Sequence, residues 1–132
     1  MAADAPGDGR RWLGIGHVQL AMPVGEEARA RTFYGDLLGL TELPKPPVLA
    51  ARGGCWFAVG NGQQLHLGVE APFAPARKAH PCLLAADLPS LRERLEGSGV
   101  AVIDDELRPG MARFYCVDPF GNRLEFADRE GE

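Results

Sequence analysis

The sequence predicts an α+β fold: two βαβββ modules in tandem, forming an open, barrel-like cavity. Two observations carry this. The chain repeats itself around its three histidines, and each half shows the same succession of strand-like and helix-like periodicity. The first half opens on His17-Val18-Gln19-Leu20-Ala21 and nears its end at Gly62-Gln63-Gln64-Leu65-His66-Leu67. The second opens on His80-Pro81-Cys82-Leu83-Leu84 and nears its end at Gly121-Asn122-Arg123-Leu124-Glu125-Phe126. His17 thus pairs with His80. His66 pairs with Glu125 inside the shared pattern G-x-x-L-[H/E]-[L/F], at comparable separations of 49 and 45 residues (66−17 and 125−80).

Each element follows from its local pattern. Leu13 to Met22 alternates and predicts a strand, broken by Pro23 to Gly25. Glu26 to Leu38 places Ala30, Phe33, Tyr34, Leu37 and Leu38 at helical spacing, with acids in the first turn and Gly39 as a stop. Thr41-Glu42-Leu43 predicts a short strand, and the proline-rich stretch after it predicts a loop. Cys55 to Val59 and Gln64 to Glu70 predict a hairpin around Gly60-Asn61-Gly62, residues that tolerate positive φ. In the second half, His80 to Ala86 predicts a strand. Asp87 or Ser90 can cap a helix running to Glu96 with Leu88, Leu91 and Leu95 on one face. Val100 to Asp104, Met111 to Val117 and Arg123 to Ala127 predict three further strands, the last two joined by the turn Asp118-Pro119-Phe120-Gly121. Pro81 forces an extended backbone at His80 and offers no ladder donor, so its strand begins there or lies at an edge.

The expected layout is a disordered tail over 1–11, then one domain over 12–128. Its modules span about 12–70 and 79–128, with a linker at 71–78. A chain of 132 residues, 45% hydrophobic and 24% charged, suits one globular domain. The net charge of −4 argues against nucleic acid as a partner. No run is long enough to span a membrane, and the N-terminus lacks the apolar core of an export signal. Three cysteines, an odd number without C-x-x-C spacing, suit a reducing cytoplasm.

Alternation along strands puts His17 on a face with Gln19, His66 with Gln64 and Gly68, His80 with Cys82, and Glu125 with Arg123. If each module is a curved sheet with its helix outside, His17, His66, His80 and Glu125 can converge on the concave side. Imidazoles with a carboxylate suit one divalent zinc, nickel, cobalt, manganese or ferrous ion; calcium and magnesium would want more oxygens. Trp56, Phe57, Phe114 and Phe120 read as core or cavity wall, one of them able to stack on a ligand. Cys82 reads as a small buried apolar residue. Arg113 and Arg123 read as solvated, with Arg113 also able to face the cavity.

Three segments carry a family resemblance: His17-Val18-Gln19-Leu20, Thr32-Phe33-Tyr34-Gly35-Asp36-Leu37-Leu38-Gly39-Leu40, and Phe114-Tyr115-Cys116-Val117-Asp118-Pro119-Phe120-Gly121-Asn122-Arg123-Leu124-Glu125-Phe126. From Leu13 to Asp128 the chain resembles the vicinal oxygen chelate superfamily, which includes glyoxalase I, fosfomycin-resistance thiol transferases, extradiol dioxygenases and bleomycin-resistance proteins. The resemblance implies a metal-dependent, glyoxalase-like isomerase or lyase acting on a small substrate with vicinal oxygens. It implies metal ligands at His17, His66, His80 and Glu125, and Glu125 as the catalytic proton carrier. Gln19, Arg113 and Tyr115 are the expected substrate contacts, and a homodimer is the expected assembly. His66 departs from the glyoxalase I pattern, which has a glutamate there. The transferases and dioxygenases use three ligands, matching His17, His80 and Glu125. The alternative from another class is a bleomycin-resistance-like protein that binds a drug or metabolite without turnover; a third reading is a three-ligand thiol transferase or dioxygenase.

Overall fold

The computed structural model describes residues 11–104 and 112–128. The expected tail lies, apart from Arg11, outside the described residues, as does Met111 at the start of a predicted strand. In chain order the elements are β1 (His17–Met22), α1 (Glu27–Ala30), a π-helical continuation of α1 (Arg31–Leu37), β2 (Thr41–Leu43), α2 (Pro47–Ala50), β3 (Cys55–Gly60) and β4 (Gln63–Val69). The second half supplies β5 (Cys82–Leu84), α3 (Leu88–Gly97), β6 (Ile103–Asp104), β7 (Arg113–Val117) and β8 (Arg123–Ala127).

The duplication read from the histidines is a duplication of topology. The sheets run β1-β4-β3-β2 and β5-β8-β7-β6. In each, the first strand lies parallel to the fourth, and the remaining neighbours are antiparallel. Register makes the equivalence residue by residue. His66 sits opposite Gln19 and Trp56; Glu125 sits opposite Cys82 and Tyr115. Hence Gln19 corresponds to Cys82, and Trp56 to Tyr115.

Several expected boundaries shift for local reasons. β1 begins at His17 rather than Leu13, where the parallel ladder with β4 begins. β5 begins at Cys82, so His80 lies just before the strand, consistent with Pro81 lacking an amide hydrogen. The first helix stays where its apolar spacing puts it but widens after one turn: Leu38 N–H donates to the Phe33 carbonyl at 2.9 Å, five residues back. Gly39, at φ 77°, ends it. The proline-rich stretch contains α2, with Pro47 in its first turn, where a missing N–H costs nothing. Asp87 caps α3 by accepting from Ser90 N–H at 3.1 Å. Asn61 and Gly62, at φ 54° and 73°, make the hairpin turn.

Both sheets turn one face to a single apolar core. Leu20, Met22, Phe57, Leu65 and Leu67 of the first sheet join Phe114, Cys116, Leu124 and Phe126 of the second, with Phe33 and Tyr34 of the first helix and Leu91 and Leu95 of α3. The Asp118-Pro119-Phe120-Gly121-Asn122 turn clamps the halves together. Its buried Asp118 carboxylate accepts from Tyr34 Oη at 2.6 Å, from the Phe120 and Asn122 amides and from Asn122 Nδ2, each at 2.9 Å. Asn122 also donates to the Ala21 carbonyl on β1 and accepts from the Ala76 amide in the linker. These bonds explain why the aromatic of the first helix and the late turn belong to one pattern: they are two ends of one buried network.

Candidate functional site

Strand alternation puts the candidate residues on the faces opposite the core. On the first sheet these are His17 and Gln19 from β1, Trp56 from β3, and Gln64, His66 and Gly68 from β4. On the second they are Arg113 and Tyr115 from β7 and Arg123 and Glu125 from β8, with His80 and Cys82 entering from the β5 edge.

The first face is a column of rings. His66 lies between Trp56 and His17, with ring centroids 4.2 and 4.1 Å apart and interplanar angles of 6° and 12°. Lys45 Nζ sits over the Trp56 ring, 5.8 Å from its centroid. His66 is only 5% exposed, and its Nε2 is 2.8 Å from Gln64 Oε1. Burial, then the neighbouring His17, hold the His66 pKa below the ordinary imidazole value, so the ring is neutral at pH 7. Gln19 crosses Gly68, where a Cβ would come within 2.6 Å of its Nε2.

The second face is ionic. Glu125 is 6% exposed. Its Oε1 is 2.9 Å from His80 Nε2, and its Oε2 accepts from Arg113 Nε at 2.6 Å. Burial pushes the Glu125 carboxyl up, but the bonds from His80 and Arg113 outweigh it and hold the pKa below the usual carboxylate value. His80 Nδ1 donates to the Lys78 carbonyl at 2.8 Å, which fixes the ring. Tyr115 meets His80 edge-on at 5.6 Å and carries the Arg123 guanidinium over its face at 4.3 Å. Arg113 is therefore not solvated, as its sequence context suggested. It is buried against Glu125, the only way a guanidinium and a carboxylate can share such a site.

The four sequence-predicted ligands thus form two pairs: His17 with His66, and His80 with Glu125. Among the described residues no group of three or more His, Cys, Asp or Glu side chains could hold one ion. The donors fit a borderline transition ion in kind, but the described residues of one chain do not bring enough of them together. The stack adds a limit. An ion in the plane of the His17 ring lies off the plane of His66 by the stacking distance, so it cannot meet both lone pairs while the rings remain parallel. Sequence reasoning did not single out Trp56 among the aromatics, nor the burial of Arg113. The signal was cross-strand register, which places Trp56 opposite His66 and is invisible without the ladder.

The edge strands β1 and β5 flank a cleft of about 670 Å³, whose lining includes Gln19, Leu20, Gln64, His80, Cys82 and Leu83. No helix among the described residues is long and apolar enough to cross a membrane.

Comparison with known proteins agrees with the duplicated fold. No curated protein matches the chain. A crystal structure of a Bacillus anthracis protein, described as of the glyoxalase family, shares 50% identity, covers 87% of this chain and 93% of its own, and superposes with a TM-score of 0.83. Lactoylglutathione lyase from Agrobacterium tumefaciens shares 25% identity over 89% of this chain and 94% of its own, with a TM-score of 0.67. TnmS3, an antibiotic-binding protein from Streptomyces sp. CB03234, shares the fold at 23% identity, 97% and 98% coverage and a TM-score of 0.67. The family model for the glyoxalase/bleomycin resistance protein/dioxygenase superfamily matches residues 14–126. With the duplicated sheets and this match, the chain belongs to that superfamily.

Proposed function

We propose that the protein is a metal-dependent, glyoxalase-like enzyme of the isomerase or lyase type, acting on a small substrate with vicinal oxygens. It works as a homodimer in which the first face of one chain meets the second face of its partner. One observation supports this reading: the register-equivalent positions of the two sheets hold two imidazoles and an imidazole–carboxylate pair, each on the face opposite the core. His17, His80 and Glu125 would hold the ion, while His66, the fourth expected ligand, stays in the ring column beside it. A divalent zinc, nickel, cobalt, manganese or ferrous ion there would supply Lewis acidity towards adjacent substrate oxygens. Glu125 is the carboxylate able to take up a proton, while Arg113 orients it. Gln19 and Tyr115 are the proposed substrate contacts. The protein is expected to work in the cytoplasm.

Purified protein should carry close to one divalent transition ion per chain. His17→Ala or Glu125→Ala should strip it, while His66→Ala should keep it. Protein that stays metal-free after incubation with all five ions would overturn the reading. Mixing His17→Ala with Glu125→Ala chains tests the assembly. In a shared-site dimer one of the two sites in each mixed dimer is intact, so about a quarter of the sites should recover metal. No recovery, or a monomer by light scattering, removes the two-chain site. Because His66 replaces a carboxylate, turnover of the glutathione hemithioacetal of methylglyoxal should be weak or absent.

The second reading is binding without turnover. Its support is that both Glu125 oxygens are already engaged, by His80 and Arg113. The same metal measurement separates the two readings.

A further inference from the structure

We propose that the outer face of His17 is a stacking platform for a flat conjugated ring, and that the ligand of this protein carries such a ring. The proposal deepens the function above, since it rests on that reading for taking this face as the ligand face; the stacking itself requires no ion. Trp56, His66 and His17 come from β3, β4 and β1, three adjacent strands, so the column steps across the sheet towards its edge. Lys45 lies over Trp56, the ring at one end. The other end is His17, an exposed residue on an edge strand. No other ring among the described residues stacks on it.

The column is built to stay in place. His66 is held between two rings and by Gln64, and Trp56 is half-buried. A surface that is already ordered loses little entropy when a ring is laid on it. A puckered saturated ring of similar size cannot match a plane, whereas an aromatic ring gains the stacking contact. Gln19 and Gln64 flank His17 and also line the cleft between β1 and β5, so a bound ring would have amides beside it and the His80 side of the cleft ahead of it. An imidazole presents its lone pair in its plane and its π-face perpendicular to it. His17 can therefore serve an ion and a ring at once.

The test is calorimetric titration of the full-length protein with 2-naphthoate and with its saturated counterpart, decalin-2-carboxylate, with and without EDTA. Naphthoate should bind roughly tenfold tighter than the decalin acid, within the range expected of one stacked ring. His17→Ala should remove that preference. His17→Phe, which keeps a flat ring and cannot coordinate a metal, should retain it. Equal affinity for the two acids, no naphthoate binding, or a His17→Phe loss as large as that of His17→Ala overturns the platform. If the partner chain of the proposed homodimer instead covers the outer face of His17, naphthoate binding will fail at dimer-forming concentrations, which also overturns it. Metal uptake is scored separately. A ring preference in a chain that takes up no ion sinks the metal-dependent function and leaves the platform standing; metal uptake without a ring preference does the reverse.

Discussion

The two halves share a topology and a register, yet they fill equivalent positions with opposite chemistry. His17, His66 and Trp56 make a stack of three rings. Their counterparts His80, Glu125 and Tyr115 make an ion network with an aromatic rim. One position explains much of the divergence. Arg113 precedes Tyr115 by two residues, as Gly54 precedes Trp56. At Gly54, which has φ 84°, any Cβ would fall 2.2 Å from the Leu67 carbonyl oxygen, so no side chain can stand there. The first half therefore has no cation at the place that neutralises Glu125 in the second, and a neutral aromatic ring suits its equivalent position. Duplication fixed the frame, and local close packing decided which half could host a buried charge.

The sharpest way to break this comparison is to remove the cation. Arg113→Ala leaves the nearly buried Glu125 carboxylate with His80 alone and should destabilise the fold by about 3–5 kcal/mol, read by chemical denaturation. Arg113→Ala combined with Glu125→Gln should recover much of that loss, because the uncompensated charge is gone. If the single variant costs under about 1 kcal/mol, the second face is not an ion network of consequence. Next comes the clamp common to both halves. Asn122→Ala removes bonds to Ala21, Ala76 and Asp118 and should cost roughly 2–3 kcal/mol. Tyr34→Phe, losing one bond to a carboxylate that keeps its other donors, should cost less.

The smallest effect sharpens the ring-stacked half. The fold holds His66 below 6.5, so the unfolded chain binds a proton at this residue more readily than the folded one. Its contribution is fully present above that value and is lost as pH falls through the lower folded pKa. Wild-type stability should decline over that window relative to His66→Phe, which keeps a flat ring in the column and has no proton to gain. Parallel stability curves for the two proteins below pH 6.5 would show that the stack does not hold His66 neutral. The thiols give an independent check on burial, which pushes Cys55 up to about 11 and Cys116 up to about 12. Both should resist alkylation in the folded protein, while Cys82, half-buried at the β5 edge, should react first.

Much of this molecule was legible in one dimension, because strands and helices answer to local periodicity and the repeat supplies its own alignment. The module order, the hairpin at Asn61, the Asp87 cap and the four candidate ligands all follow from residue spacing and turn chemistry. Hydrogen-bond register and packing settled the rest. Only the ladder puts Trp56 across from His66, and only the shared core joins Tyr34 to Asp118, 84 positions away. Arg113 looked like a surface cation because nothing local marks a buried ion pair; its burial depends on a partner on another strand. The grouping of the candidate ligands is likewise tertiary. Sequence places an imidazole or carboxylate at four equivalent positions, but how two sheets sit on one core decides that each chain assembles them as pairs.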